Sequence, residues 1–151
     1  RGHLYHNLGG GRFEEVGAAA GVDTPFLASD YSFTPNFADI NNDGWPDLLL
    51  TGDQSTSRVF INAKNGSFSA VTPPVINDQN GSGAAVGDYD NDGNLDWFVS
   101  GIRDPDGIAN GPWGVTGNRL YHGSGNGSFL DVTDLAGVRD GLWGGVQRLP
   151  T

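Results

Sequence analysis

The chain has 151 residues, 25 of them glycine, with 36% hydrophobic content and no cysteine. That composition allows one modest domain of short strands and tight turns, and it excludes disulfides and thiolate metal sites. Eighteen acidic residues against 8 basic ones give a net charge of −10, which argues against nucleic acid as a partner and makes cations the natural counter-species.

In chain order, the first pattern is strand-like, Leu4-Tyr5-His6-Asn7 running on to Phe13, and it is read as half of a repeating unit over residues 1–16. Because Arg1 already stands inside this pattern and the chain contains no Met, an amino-terminal segment is expected to be missing. A full unit follows over residues 34–72. Phe37 to Asp47 forms an Asp-rich loop, Leu48 to Thr51 leaves it as a strand, and Val59-Phe60-Ile61-Asn62 begins a hairpin that returns at Phe68. A second full unit covers residues 83–133: Ala84-Ala85-Val86, an Asp-rich loop from Asp88 to Asp96, Leu95 to Ser100, Arg119 to His122 and Ser128 to Val132. Residues 134–151 read as the start of a further unit, with a strand near Trp143 to Val146 and Gln147-Arg148-Leu149 where another Gly-Asp is expected. The third and fourth strands of the units are joined by Asn65-Gly66 and Asn126-Gly127, the dipeptide that supplies positive φ at both centres of a two-residue hairpin. The same residues create Asn-Gly-Ser glycosylation sequons at Asn65, Asn80 and Asn126, although turn chemistry explains the first and last without a sugar.

The hairpin pattern recurs at shifts of 55 and 61 residues, and the Asp-rich loop at a shift of 49. A period of about 50 residues with four short strands per unit predicts an all-β fold, a β-propeller of four-stranded antiparallel blades. Complete propellers have roughly 4 to 8 blades, so the expectation is one partial propeller over the whole chain. No run approaches the roughly 20 apolar residues that span a bilayer, and no membrane insertion is expected.

Each Asp-rich loop places oxygen donors at its positions 1, 3, 5 and 9: Asp39, Asn41, Asp43 and Asp47, then Asp88, Asp90, Asp92 and Asp96. In a loop that curls around an ion, alternate side chains point inward, position 7 (Trp45, Asn94) offers its carbonyl, and Gly44 or Gly93 at position 6 permits the sharp turn. All these donors are hard oxygens, which selects Ca²⁺ over zinc or copper, and loop flexibility selects it over Mg²⁺. An EF-hand is rejected because its position 12 needs a bidentate Glu between helices, whereas Leu50 and Val99 stand there in strand-like runs. Surface turns alone also collect Asp, Asn and Gly. Two copies with one spacing, at one place in a repeated unit, favour the metal.

Other candidates are weaker. Trp97 lies in a strand and is expected in the core. Trp113 lies in a long connection, Gly101 to Gly117, a candidate recognition loop. His6 and His122 occupy equivalent places where the middle unit has Ile61, and with no second His or carboxylate adjacent at ligand spacing they are read as core or sheet-face residues. There is no Gly-x-Ser-x-Gly motif and no phosphate-cradling loop.

On these loops the chain resembles the FG-GAP or VCBS repeat family, whose calcium-binding blades also occur in the integrin α-subunit propeller. The segments Asn118 to His122 and Asp131 to Val138 are similar to secreted proteins in which such repeats precede an ASPIC/UnbV-type domain. The resemblance implies a ring of seven or a similar number of blades, Ca²⁺ held between the first two strands of a blade, and an extracellular, cell-surface or periplasmic setting of the kind used in cell adhesion. The expected function is a non-enzymatic scaffold for a protein or carbohydrate partner, with the propeller of a carbohydrate-active enzyme such as a polysaccharide lyase as the alternative. Unpaired edge strands also predict self-association.

Overall fold

The computed structural model describes residues 3–23, 32–53, 56–78, 81–101 and 117–139. The connection carrying Trp113, the opening strand near Trp143 and the sequon at Asn80 lie outside the described residues.

Among the described residues, ten strands form three antiparallel sheets. The first is a hairpin of β1 (Tyr5–Gly9) and β2 (Arg12–Glu15). The second holds β3 (Ser32–Ala38), β4 (Asp47–Gly52), β5 (Arg58–Asn62) and β6 (Phe68–Ala70) in sequence order. The third repeats that order with β7 (Gly81–Gly87), β8 (Asp96–Gly101), β9 (Arg119–Gly123) and β10 (Phe129–Asp131). The all-β, four-stranded meander expected for propeller blades is therefore present twice. No helix among the described residues is long and apolar enough to cross a membrane.

Registers repeat as well. Tyr5 pairs with Glu15, Phe60 with Ala70 and Tyr121 with Asp131, so the first hairpin reproduces the outer two strands of each full sheet. Beyond each hairpin the backbone N–H of Val16, Val71 or Val132 donates to the carbonyl of Leu4, Val59 or Leu120. A turn the sequence reading overlooked then recurs: Ala20 donates to Val16 and Val22 to Gly17, as Ala136 donates to Val132 and Val138 to Thr133. Gly21 and Gly137 close these turns at φ 77° and 69°.

Alternation along the strands divides the apolar residues between two layers. Leu49 and Val59 face the third sheet and pack with Trp97, Val99, Tyr121 and Phe129 in the principal core. Leu48 and Phe60 face the other way, toward Val22, Leu4 and Phe68. Trp97 is fully buried, as its strand position predicted. Pro35, which cannot donate to a ladder, sits on the edge strand β3 beside a register shift.

The hairpin chemistry differs from the two-residue turn expected at Asn-Gly. Positive φ falls at Lys64 (63°) and Gly66 (86°), and at Gly125 (68°) and Gly127 (82°), on either side of the asparagine. The loops are longer, closed by Ala63 N–H to Ser67 carbonyl at 2.9 Å and Ser124 N–H to Ser128 carbonyl at 3.0 Å. Asn65 and Asn126 serve as acceptors, each Oδ1 taking the N–H and hydroxyl of the serine two residues on.

Candidate metal centre

Both Asp-rich loops connect the first strand of a sheet to its second, β3 to β4 and β7 to β8. They are built by one set of bonds. Asp39 Oδ1 and Oδ2 accept the N–H groups of Asp43 (3.0 Å) and Gly44 (2.8 Å), and Asp88 does the same for Asp92 (3.1 Å) and Gly93 (3.0 Å). Position 3, Asn41 or Asp90, accepts from position 5, and position 5, Asp43 or Asp92, accepts from position 7. The chain reverses through left-handed residues at position 4, Asn42 (φ 57°) and Asn91 (φ 61°), and at position 6, Gly44 (86°) and Gly93 (91°). The glycine was foreseen. The asparagine was not, although Asn is the commonest non-glycine residue to adopt this conformation and stands at position 4 of both loops.

Position 9 does more than face the loop. Asp47 is fully buried and Asp96 is 2% exposed. Asp47 Oδ2 accepts Ile40 N–H at 3.2 Å while Oδ1 accepts Asn62 N–H at 2.8 Å, tying the loop to β5. Asp96 repeats this with Tyr89 N–H and Gly123 N–H, both at 2.9 Å. Both Asp47 oxygens and Asp96 Oδ2 keep lone-pair capacity for a further contact, while Asp96 Oδ1 is also met by His122 Nδ1. Burial raises the Asp47 carboxyl above its ordinary value, against these two hydrogen bonds, and the charges of Asp43 and Asp39 push it the same way as burial.

At position 5 the balance is reversed. Burial would raise Asp43, but the Trp45 N–H and the Lys64 ammonium, 3.2 Å away, outweigh it and hold the carboxyl below its ordinary value. Asp92 is lowered by hydrogen bonds from the backbone and side chain of Asn94. In the second loop Asp88, Asp90 and Asp92 bring carboxylate oxygens within 4.8 Å of one another. Three carboxylates this close repel one another, and a hard divalent cation would relieve the repulsion, so the donor set fits Ca²⁺.

The two loops touch. Asn42 Nδ2 donates to Asn94 Oδ1 at 3.1 Å and to the Gly125 carbonyl at 3.4 Å, and Gly127 N–H donates to the Ile40 carbonyl at 3.1 Å. Gly125 leaves room for this contact: a Cβ there would lie 2.0 Å from Asn94 Oδ1 and would push the Asn94 and Asn42 amides aside.

One expectation is corrected. His122 does have carboxylates beside it: Nδ1 lies 2.9 Å from Asp96 Oδ1 and 3.7 Å from Asp90 Oδ2, and Nε2 lies 3.6 Å from Asp92 Oδ2. They were invisible as local spacing because β9 borders β8 in the sheet, bringing Asp96 next to a residue 26 positions away. His6 occupies the matching register on the exposed hairpin β1–β2.

Among known families, the model of the FG-GAP-like repeat matches residues 1–50 and 39–99, the second span containing both Asp-rich loops. The match is to the repeat and does not extend to the ASPIC/UnbV-type resemblance. No curated protein matches the chain.

Proposed function

The chain belongs to the FG-GAP-like repeat family, and from that premise we propose that it is a calcium-binding β-propeller module, a non-enzymatic scaffold for a protein or carbohydrate partner outside the cell. The observation that carries this reading is the duplicated loop: nine residues, one bonding pattern, left-handed turns at positions 4 and 6, twice. Asp39, Asn41, Asp43 and Asp47 would hold one ion, and Asp88, Asp90, Asp92 and Asp96 the other, with the carbonyls of Trp45 and Asn94 completing the sets. Bound Ca²⁺ would supply charge neutralisation to the loop between the first two strands of each four-stranded sheet.

The second loop is the tighter site. It offers four carboxylates against three, since Asn41 is neutral, and Lys64 places a competing positive charge beside Asp43 in the first. Titration calorimetry with Ca²⁺ on Asp92→Ala and Asp43→Ala should show the larger loss of affinity for Asp92→Ala. If neither substitution changes Ca²⁺ binding, the loops are surface turns and the proposal fails.

A further inference from the structure

His122 has no counterpart in the first loop, where Ile61 occupies the same place in the sheet. Since isoleucine fills that place in the other sheet, the fold does not demand an imidazole there. Its nitrogen joins Asp90 and Asp96 in a group whose three donor atoms all lie within 4.8 Å of one another. Metal bonds of roughly 2.0–2.1 Å at tetrahedral angles set neighbouring donor atoms about 3.3–3.4 Å apart. The distances from His122 Nδ1 to Asp96 and Asp90, 2.9 and 3.7 Å, bracket that spacing; the shorter is a hydrogen bond in which Nδ1–H donates to Asp96 Oδ1, and a metal ion bound there would take the place of that proton. Nε2 lies 3.6 Å from Asp92 Oδ2, a carboxylate on the far side of the ring, and Tyr89 packs edge-on against the imidazole at 6.1 Å.

We propose that Asp90, Asp96 and His122 form a mixed nitrogen–oxygen site for a transition-series divalent ion of the Zn²⁺ class, overlapping the second calcium loop. The proposal rests on the reading that this loop holds a divalent cation. An imidazole is a poor ligand for Ca²⁺ and a good one for Zn²⁺, so the extra donor changes which ion the loop prefers. Asp90 and Asp96 belong to both ligand sets, so the two ions exclude each other at the second loop. The first loop, with Ile61, keeps to hard cations. Three protein ligands leave a fourth position open on a tetrahedral ion.

The test is calorimetric titration of the full chain with Zn²⁺ and, separately, Ca²⁺, for wild type, His122→Ile and His122→Gln. Thermal melts would establish folding, and the imidazole NMR signals would report where Zn²⁺ binds. The expected result is that Zn²⁺ shifts the His122 signals and saturating Zn²⁺ abolishes Ca²⁺ binding at one loop. Both variants should weaken Zn²⁺ at least about tenfold, the lower range seen when even an outer-shell partner is lost, and change Ca²⁺ affinity far less. Zn²⁺ binding that is absent, or unchanged in both variants as for a site at His3 or His6, overturns the inference while leaving the calcium reading intact. Failure of both ions to bind at the loops would bring down both.

Discussion

Lys64 adopts a left-handed φ of 63° to bring its ammonium to Asp43, at the place where the other sheet has Gly125 with φ 68°. A side chain is strained there and glycine is not. Lys64→Gly is therefore expected to strengthen Ca²⁺ binding at the first loop, by about twofold to fivefold for an exposed, screened ion pair. Calorimetry on the variant checks this, and weaker binding would show that Lys64 supports the loop instead of competing within it. Trp97 shows the opposite kind of residue. It is fully buried against Tyr121 and Phe129, with ring centroids 5.8 and 6.5 Å away, and its indole N–H has no hydrogen-bond partner among the described residues. Packing alone keeps it, so Trp97→Ala should cost about 3–5 kcal/mol in urea unfolding. Its core position was legible from the strand pattern, whereas the place of His122 was not, because its neighbours are brought together by sheet pairing and leave no local spacing to read.

At the level of elements, the Asp-rich loops were legible because their donors recur at fixed spacing within one short segment. The hairpins misled because Asn-Gly also fits a longer loop, in which the asparagine side chain accepts two bonds and the left-handed residues flank it. The connection from β6 to β7 was read only for the sequon at Asn80 and carried no signal for Asp78, yet it delivers Asp78 to the junction of the two sheets. There Asp78 accepts Ser57 Oγ at 2.6 Å and Tyr121 OH at 3.3 Å, and a Cβ at Gly81 would crowd its Oδ2 at 2.5 Å. Burial raises its carboxyl above the ordinary 3.8, opposed by Ser57, Tyr121 and the charge of Arg119. The folded state thus keeps a proton that the unfolded chain has already lost. The resulting stability is fully present below pH 3.8 and is lost as pH rises through the higher folded value. Asp78→Asn keeps an acceptor without the titration. Relative to it, wild type should lose melting temperature in metal-free buffer as pH rises from about 3.8, then level off. A difference that stays flat with pH would contradict the burial argument.

For the whole molecule, the repeat was the strongest signal in the sequence, because one period fixed both the sheets and the position of the loops within them. What the period could not show is that the two loops meet. Asn42 and Asn94 join them, and near the start of the same two strands, away from the loops, Thr34 Oγ1 on β3 donates to the Ser82 carbonyl on β7 at 3.0 Å, so the first strands of neighbouring sheets are tied toward both ends. Without the cation, seven carboxylates lie in these two adjoining loops. Thermal unfolding with and without Ca²⁺ tests the account most directly. Extracellular calcium modules have dissociation constants of about 10⁻⁴ to 10⁻³ M, so roughly 10 mM Ca²⁺ would stabilise by about 1.4 to 2.7 kcal/mol per site, or about 3 to 10 °C in melting temperature. The expected result is a rise of that size for each loop that binds, reversed by chelator and reduced in Asp92→Ala; a melting temperature indifferent to both Ca²⁺ and chelator would contradict the central claim.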